Sequence, residues 1–322
     1  MMMTDFAPTL SLPLAIARGQ MLAQIRHFFA QKNVLEIQTP ILSHAGNTDV
    51  YIQSVQTWFH QAGKPTTGYL HTSPEFAMKR VLADYRVPIY QLCQVFRDDE
   101  KGKKHNIEFT MLEWYRPDFD LDMLADELHE LLCVVLNRPL TLHRLSYAQS
   151  FLDKLHIHPF SASIQTLKDT ALTHGITLDM GDDRQGWLDL LFSHLIEPDL
   201  GFDAPTLVVD YPVATAALAK TAIDADGHVV ARRFELYING IEIANAYDEL
   251  ADGNELAKRF MDDNAKRTQL GLPAMPIDTR LLSACQHLPA CSGIALGVDR
   301  LFMVRECLAD ISEAMMFTTD KA

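Results

Sequence analysis

The chain has 322 residues, 48% hydrophobic and 22% charged, with 28 Lys plus Arg against 42 Asp plus Glu and a net charge of −14. That supplies one large core, or one domain carrying a sizeable insertion. No apolar run approaches the ~18 residues of a membrane span, and the acidic balance argues against an extended nucleic-acid interface, which needs a basic surface. The N-terminal stretch MMMTDFAPTLSLPLAIARGQ lacks a basic segment followed by an apolar core and a small-residue cleavage site, so no secretory leader is expected. The five cysteines, odd in number and without a CxxC pair, are expected to be reduced cytoplasmic thiols. His156 and His158 have no HExxH or cysteine partners and are read as structural.

Residues 14–32 place Leu14, Met21, Leu22, Ile25, Phe28 and Phe29 at helical spacing, and a short strand, VLEIQTP, follows and stops at Pro40. Ser73-Pro74-Glu75 opens the next helix, with Ser at N-cap, Pro at N1 and an acid in the first turn. A role as dipole partner alone would account for Glu75 there. PIYQLCQVFR is a second strand, ending in Arg97. A loop at 98–106 joins it to a third strand, so an antiparallel pair is expected. The loop carries Lys101, Lys103, Lys104 and His105, which form either a solvated turn or a small binding patch. On the third strand Ile107, Phe109, Met111, Glu113 and Tyr115 share one face. An unpaired buried carboxylate costs several kcal/mol or takes up a proton. Either a cation meets Glu113, or this face is an open pocket.

From about 118 to 220 the character changes. LDMLADELHELLCVVL is a strong amphipathic helix and shorter helical segments follow, which reads as a mostly helical insertion interrupting a sheet. The sheet resumes at RFELYINGIEIANAYDEL, where Asn239-Gly240 is the favoured two-residue type I′ turn. That turn sets Ile238 opposite Ile241, Tyr237 opposite Glu242 and Glu235 opposite Ala244. Phe234, Leu236, Ile238, Ile241 and Ile243 then share the core face. Glu235 and Glu242 share the other face as diagonal neighbours, roughly 7 Å apart. Either carboxylate alone fits a solvated face; two together repel unless a cation bridges them, which favours a site. In CSGIALGVDRLFM, Gly293, Ala295 and Gly297 keep the backbone open to close approach. Asp299-Arg300 starts a helix there, and a guanidinium suits that end only if it faces an anion such as a phosphate.

Taken together, these segments resemble the catalytic core of class II aminoacyl-tRNA synthetases of the lysyl type. The first helix plus VLEIQTP looks like motif 1, the family's dimer interface; FRDDEKGKKHNIEFTMLEWY looks like motif 2 and SGIALGVDRLFM like motif 3. The resemblance covers nearly the whole chain in the family's order. It implies an α+β fold, with an antiparallel sheet flanked by helices, in one catalytic domain over 1–322 that holds the helical insertion at about 118–220. Within the family the chain resembles a stand-alone branch. It begins directly at motif 1, without room for the N-terminal anticodon-binding OB-fold, and Ala295 stands where the synthetases carry glycine.

The resemblance implies ATP and magnesium as cofactors and assigns residues to them. Arg97 would bind the α-phosphate and the carboxylate under attack, and Arg300 the γ-phosphate; these two are the catalytic residues. Asp98, Asp99, His105 and Asn106 would line the ATP loop, Phe109 would stack on adenine, and Ile243 and Gly297 would complete the nucleotide site. Glu235 and Glu242 would hold the metal on the triphosphate. Ser73, Pro74 and Glu75 would receive the substrate's backbone-type amine. Glu113, Tyr115 and Glu249 would form the pocket for its distal ammonium, with Asn245 nearby and Ala295 in the floor. Two departures stand out. Arg97-Asp98-Asp99 replaces the family's Arg-Asn-Glu, a methylene shorter at the adenine contact, where Glu100 could substitute. Asn-Gly-Phe becomes Asn245-Ala246-Tyr247, which fills space beside the pocket. The activity implied is ATP-dependent activation of lysine, preferably (R)-β-lysine, as adenylate, and transfer to a lysine side chain of elongation factor P by a cytoplasmic homodimer that needs no tRNA and no membrane. The alternatives are a truncated lysyl-tRNA ligase charging RNA and a non-catalytic regulator. The second is disfavoured because Arg97, Glu235, Glu242 and Arg300 are all present.

Overall fold

A computed structural model describes residues 6–322. Helix α1 (Leu12–Gln31) leads into β1 (Leu35–Glu36), then β2 (Leu42–Ser43), β3 (Gln56–Gln61) and β4 (Lys64–Leu70). Next come α2 (Glu75–Tyr85), β5 (Ile89–Phe96), β6 (Glu108–Pro117) and α3 (Leu121–Val135). The middle of the chain forms β7 (His143–Ser146), α4 (Tyr147–Leu155), α5 (Ile164–Thr173), α6 (Arg184–Leu191), β8 (Thr206–Pro212), β9 (Thr221–Ile223), β10 (Val229–Ile238) and β11 (Ile241–Asp248). It ends with α7 (Gly253–Gln269), α8 (Thr279–Cys285), β12 (Cys291–Gly297) and α9 (Val298–Glu306). The fold is α+β. Two units are distinguished: the first runs to Arg138 and resumes at Glu249, and the second is Pro139–Asp248. Among the described residues no helix is long and apolar enough to cross a membrane.

In the first unit the strand order is β1-β5-β6-β12. β1 lies parallel to β5, and only Leu35 and Glu36 of VLEIQTP pair as strand. The remaining pairs are antiparallel, so period-2 alternation divides each strand between two faces. One face carries Tyr90, Trp114 and Ile294 in one row and Leu92, Leu112 and Leu296 in the next. Helices α1, α3 and α9 cover it. Phe29 stacks on Tyr90 at 4.5 Å and meets Trp114 edge-on at 5.3 Å, while the Trp114 indole donates to Glu127 at 3.0 Å. Helix α3, the strongest helix of the segment that the sequence sets apart, packs within this unit. The opposite sheet face carries the row Gln91, Glu113, Ala295 and beside it Ile89, Tyr115, Gly293. Helix α2 begins one residue later than expected: Pro74 occupies the cap position. The Ser73 hydroxyl still accepts the Glu75 N–H at 3.0 Å.

The second unit has the strand order β11-β10-β8-β7, with β9 on β10. Its core joins Phe151, Leu167, Trp187, Leu191, Phe192 and Val208. The hairpin turn is as expected, with left-handed backbone at Asn239 (φ 52°) and Gly240 (φ 65°). Two residues into the ladder the register departs from the simple alternation. Tyr237 faces Glu242, but Leu236 faces Ala244 and Glu235 faces Asn245, not Ala244. Ile243 is the extra residue of a β-bulge. The bulge reverses the parity of the strand, so Glu242, Asn245 and Tyr247 line one face with Arg233, Glu235 and Tyr237.

Candidate active site

In the first unit, β6 presents Glu113 on the second sheet face, and the side chain is only 2% exposed. Both carboxylate oxygens are engaged. Ser73 Oγ donates to Oε2 at 2.6 Å and the Tyr115 hydroxyl to Oε1 at 2.6 Å. Glu75 and Glu249 are also drawn in, but each already has a cation. Lys79 Nζ lies 2.7 Å from Glu75 and 2.6 Å from Glu249. Two carboxylates therefore share one fully buried ammonium, whose charge also acts on Glu113. Burial would lower the Lys79 pKa, yet attraction to Glu249 and Glu75 holds it above its ordinary value. Glu113 goes the other way. Burial, reinforced by repulsion from Glu75, pushes its pKa to about 8 despite the hydrogen bonds and the Lys79 charge. The pocket is tightly shaped. A Cβ on Gly293 would sit 2.4 Å from Glu249 Oε1 and from Tyr115 Cε1, so only glycine fits there. Two residues on, the Ala295 methyl stands in register with Glu113.

The basic groups predicted around the nucleotide also converge in this unit. The pKa of His105 is lowered to about 4, first by burial and then by the charges of Arg300, Arg97 and Lys104. The imidazole is thus held neutral inside a cluster of cations. Arg97 lies over the Phe109 ring at 5.2 Å, and its Nε–H is buried with no acceptor. A buried guanidinium N–H without a partner among neighbouring cations suits an oxyanion such as a phosphate, so these residues fit ATP. The loop is fastened at several points. Asp98 N donates to Gln53 O at 2.8 Å, and Asp99 follows in a left-handed conformation (φ 60°). Lys103 O accepts from Ile311 N at 2.8 Å, and Lys104 O from Arg300 Nε at 3.1 Å. Asn106 bonds Glu108 O and Thr319 N with its side chain, and Lys101 pairs with Asp320. The basic turn is therefore held by the C-terminal segment. Gly297 caps α9, and Asp299 in the first turn takes hydrogen bonds from Arg18 and from Thr110 N, both at 2.6 Å.

In the second unit, Glu235 has found a cation within the chain. It pairs with the Arg233 guanidinium and accepts from the Tyr211 hydroxyl at 2.7 Å and the Tyr237 hydroxyl at 2.5 Å. A carboxylate offers about four lone-pair sites, so one remains. Glu242 projects from the same face opposite Tyr237, and its charge acts on both Tyr237 and Arg233. Two hard oxygen donors on one face fit magnesium, whose remaining ligands are commonly water and phosphate oxygens. Asn245 donates to the Tyr247 hydroxyl at 3.2 Å while its Oδ1 is buried without a partner, and Ile243 is buried in the bulge.

Two residues central to this arrangement carried no role in the sequence reading. Lys79 was signalled by its i+4 position from Glu75, and Arg233 by its i−2 position from Glu235 on the same strand face. With the motif strands, their hairpin and both charged faces in place, the chain is a member of the class II tRNA synthetases (D, K and N), whose family description matches residues 9–321. Among curated relatives it is 43% identical over 321 residues to "Elongation factor P--(R)-beta-lysine ligase" of Salmonella typhi, covering 98% of each chain. It is 42% identical over 324 residues to the protein of the same name from Pectobacterium carotovorum subsp. carotovorum (strain PC1), covering 99% of each.

Proposed function

We propose that this chain uses ATP to activate lysine, and by preference (R)-β-lysine, as the adenylate and transfers it to a lysine side chain of elongation factor P. The observation that carries this reading is Glu113, a buried carboxylate that forms no ion pair among the described residues, while Glu75 and Glu249 beside it share Lys79. One substrate ammonium completes Glu113 and Glu249, and a second meets Glu75. A diamino acid supplies both. Near-full-length likeness to two ligases of that name supports the donor and acceptor.

Arg97 orients the substrate carboxylate against the α-phosphate, whose phosphorus it attacks in line; pyrophosphate leaves and the mixed anhydride remains. Neutral His105 and Arg300 line the polyphosphate, and Phe109 stacks on adenine, with Asp98, Asp99 and Gly297 around it. Bound to Glu242 and the free lone pair of Glu235, magnesium would neutralise phosphate charge. The acceptor amine then attacks the carbonyl, an amide forms and AMP departs. No covalent enzyme intermediate is required, so catalysis is positioning and charge neutralisation. Exposed apolar Leu12 and Ile16 on α1 support a homodimer through motif 1.

Two results are expected from the selective parts of the site. Replacing Ala295 by Gly removes the methyl beside Glu113 and should shift preference towards α-lysine, since one such group is worth about 1–3 kcal/mol of discrimination. The ratio of kcat/KM for the two isomers checks it. Replacing Lys101 and Lys103 with Ala should leave adenylate formation intact while transfer falls and loses salt sensitivity, because these charges guide the acceptor. Pyrophosphate exchange measured beside transfer at two salt concentrations separates the steps.

The test of the whole assignment gives the enzyme ATP, radiolabelled α- or β-lysine, and either lysine tRNA or unmodified elongation factor P. Label on the protein with none on the tRNA is expected. Efficient charging of tRNA with an unlabelled protein would overturn it.

A further inference from the structure

Gln91 lies in β5 directly opposite Glu113, and Ala295 lies opposite Glu113 on its other side, so the three form one row on the pocket face. Directly opposed residues carry Cβ atoms about 4.5–5.5 Å apart, within reach of the same small ligand group. Gln91 is 2% exposed, yet its Oε1 accepts no hydrogen bond from the described residues. The amide's other end is occupied, since it hydrogen-bonds the thiol of Cys93, its neighbour two residues on along the same face. What remains is a buried carbonyl oxygen, unsatisfied in the ligand-free protein, beside a carboxylate whose two oxygens already take protein donors.

An orphaned buried acceptor is costly to keep, and natural proteins keep few of them. An ammonium brings three N–H donors arranged tetrahedrally, and contacts with Glu113 and Glu249 leave the third in need of an acceptor. We infer that Gln91 Oε1 accepts an N–H from the substrate ammonium seated against Glu113, which makes Gln91 a specificity-determining residue of the amino-acid pocket. This rests on the proposed diamino-acid substrate. The oxygen lacks a partner because its partner is the ligand. Its neutrality is also useful: a further carboxylate in this row would stand beside Glu113, which already suffers repulsion from Glu75. Gln91 adds an acceptor without adding charge.

The experiment compares Gln91→Met and Gln91→Glu with wild type, using lysine-induced thermal shifts and the KM values for lysine and ATP in pyrophosphate exchange. Met matches the shape and removes the acceptor; Glu keeps an acceptor oxygen at the same reach. Gln91→Met should weaken lysine binding about tenfold or more, as expected for a hydrogen bond to a charged group, with the KM for ATP unchanged. The ligand-free Met variant should be at least as heat-stable as wild type, since an unsatisfied group has gone. At pH 8 Gln91→Glu should bind lysine better than Gln91→Met. A packing role predicts the reverse order, with Met tolerated and Glu harmful; that order, or a Met variant with unchanged lysine affinity, overturns the inference. Wild type that fails to bind lysine at all overturns the proposed function, and this inference with it.

Discussion

Replacing Lys79 by Met is expected to lower stability by about 3–5 kcal/mol at neutral pH, the cost of stranding the remaining charges of a buried ion pair. Lys79 is 1% exposed and lies within 2.7 Å of Glu75 and 2.6 Å of Glu249, so neither water nor another ion pair replaces it. Methionine fills nearly the same volume, and the loss is electrostatic. Three checks follow. The pKa of Lys79 is raised, so its contribution to wild-type stability is complete below the ordinary lysine value and constant between pH 5 and 8. The Met variant should instead recover stability as pH falls through the carboxylate range, because protonation relieves the stranded charge. Adding Glu249→Gln to Lys79→Met should restore part of the loss, since one of the two carboxylates is then gone. Denaturant midpoints at pH 5 and 8 for the three proteins measure this; a midpoint for Lys79→Met equal to wild type at pH 8 sinks it.

Lys79 also marks where the sequence stopped being legible. A Lys four residues after a Glu on a helix ordinarily reads as an exposed pair worth a few tenths of a kcal/mol. Only the packing of α2 against α8, with Glu249 delivered from the end of β11, makes it the counter-ion of a pocket. Glu113 was readable because a strand announces its faces by period 2, and a carboxylate among Phe109 and Met111 contradicts that pattern locally. The hairpin was readable at Asn239-Gly240 and misread two residues further on, because turn type sets the register only until a bulge intervenes. The partners of Glu235 were hidden from the sequence for a similar reason. Arg233 meets it from the same strand, and two tyrosines from β8 and β10 donate to it as well. The basic turn at 98–106 reads from its sequence as either a solvated turn or a small binding patch, with no sign of what holds it. Its anchors, Ile311 and Thr319, lie too far along the chain for local pattern to find.

Glu113→Gln is expected to weaken lysine binding about a hundredfold or more while leaving the ligand-free protein more stable than wild type at pH 7 and close to wild type below about pH 4.5. The asymmetry follows from the protonation state. With a pKa near 8, Glu113 is mostly a neutral acid at pH 7, and the Gln amide imitates that form towards Ser73 and Tyr115. A substrate ammonium demands the ionised form, which Gln cannot supply. Because the folded-state pKa is raised from 4.5, the folded protein holds more protons than the unfolded chain between about pH 4.5 and 8. Glu113 therefore costs wild type stability as pH rises through that window, and the Gln variant should show a flatter profile. Binding reverses the preference. Lysine must displace the Glu113 proton below pH 8, so its affinity should rise by up to about tenfold per pH unit towards 8 and then level off. The KM for ATP should not follow. Calorimetric titration at pH 7 in buffers of different ionisation enthalpy should count close to one proton released per lysine bound by wild type, and none by Glu113→Gln. Lysine binding that is independent of pH between 6 and 8, with no proton release, would show that the ammonium is held by other groups.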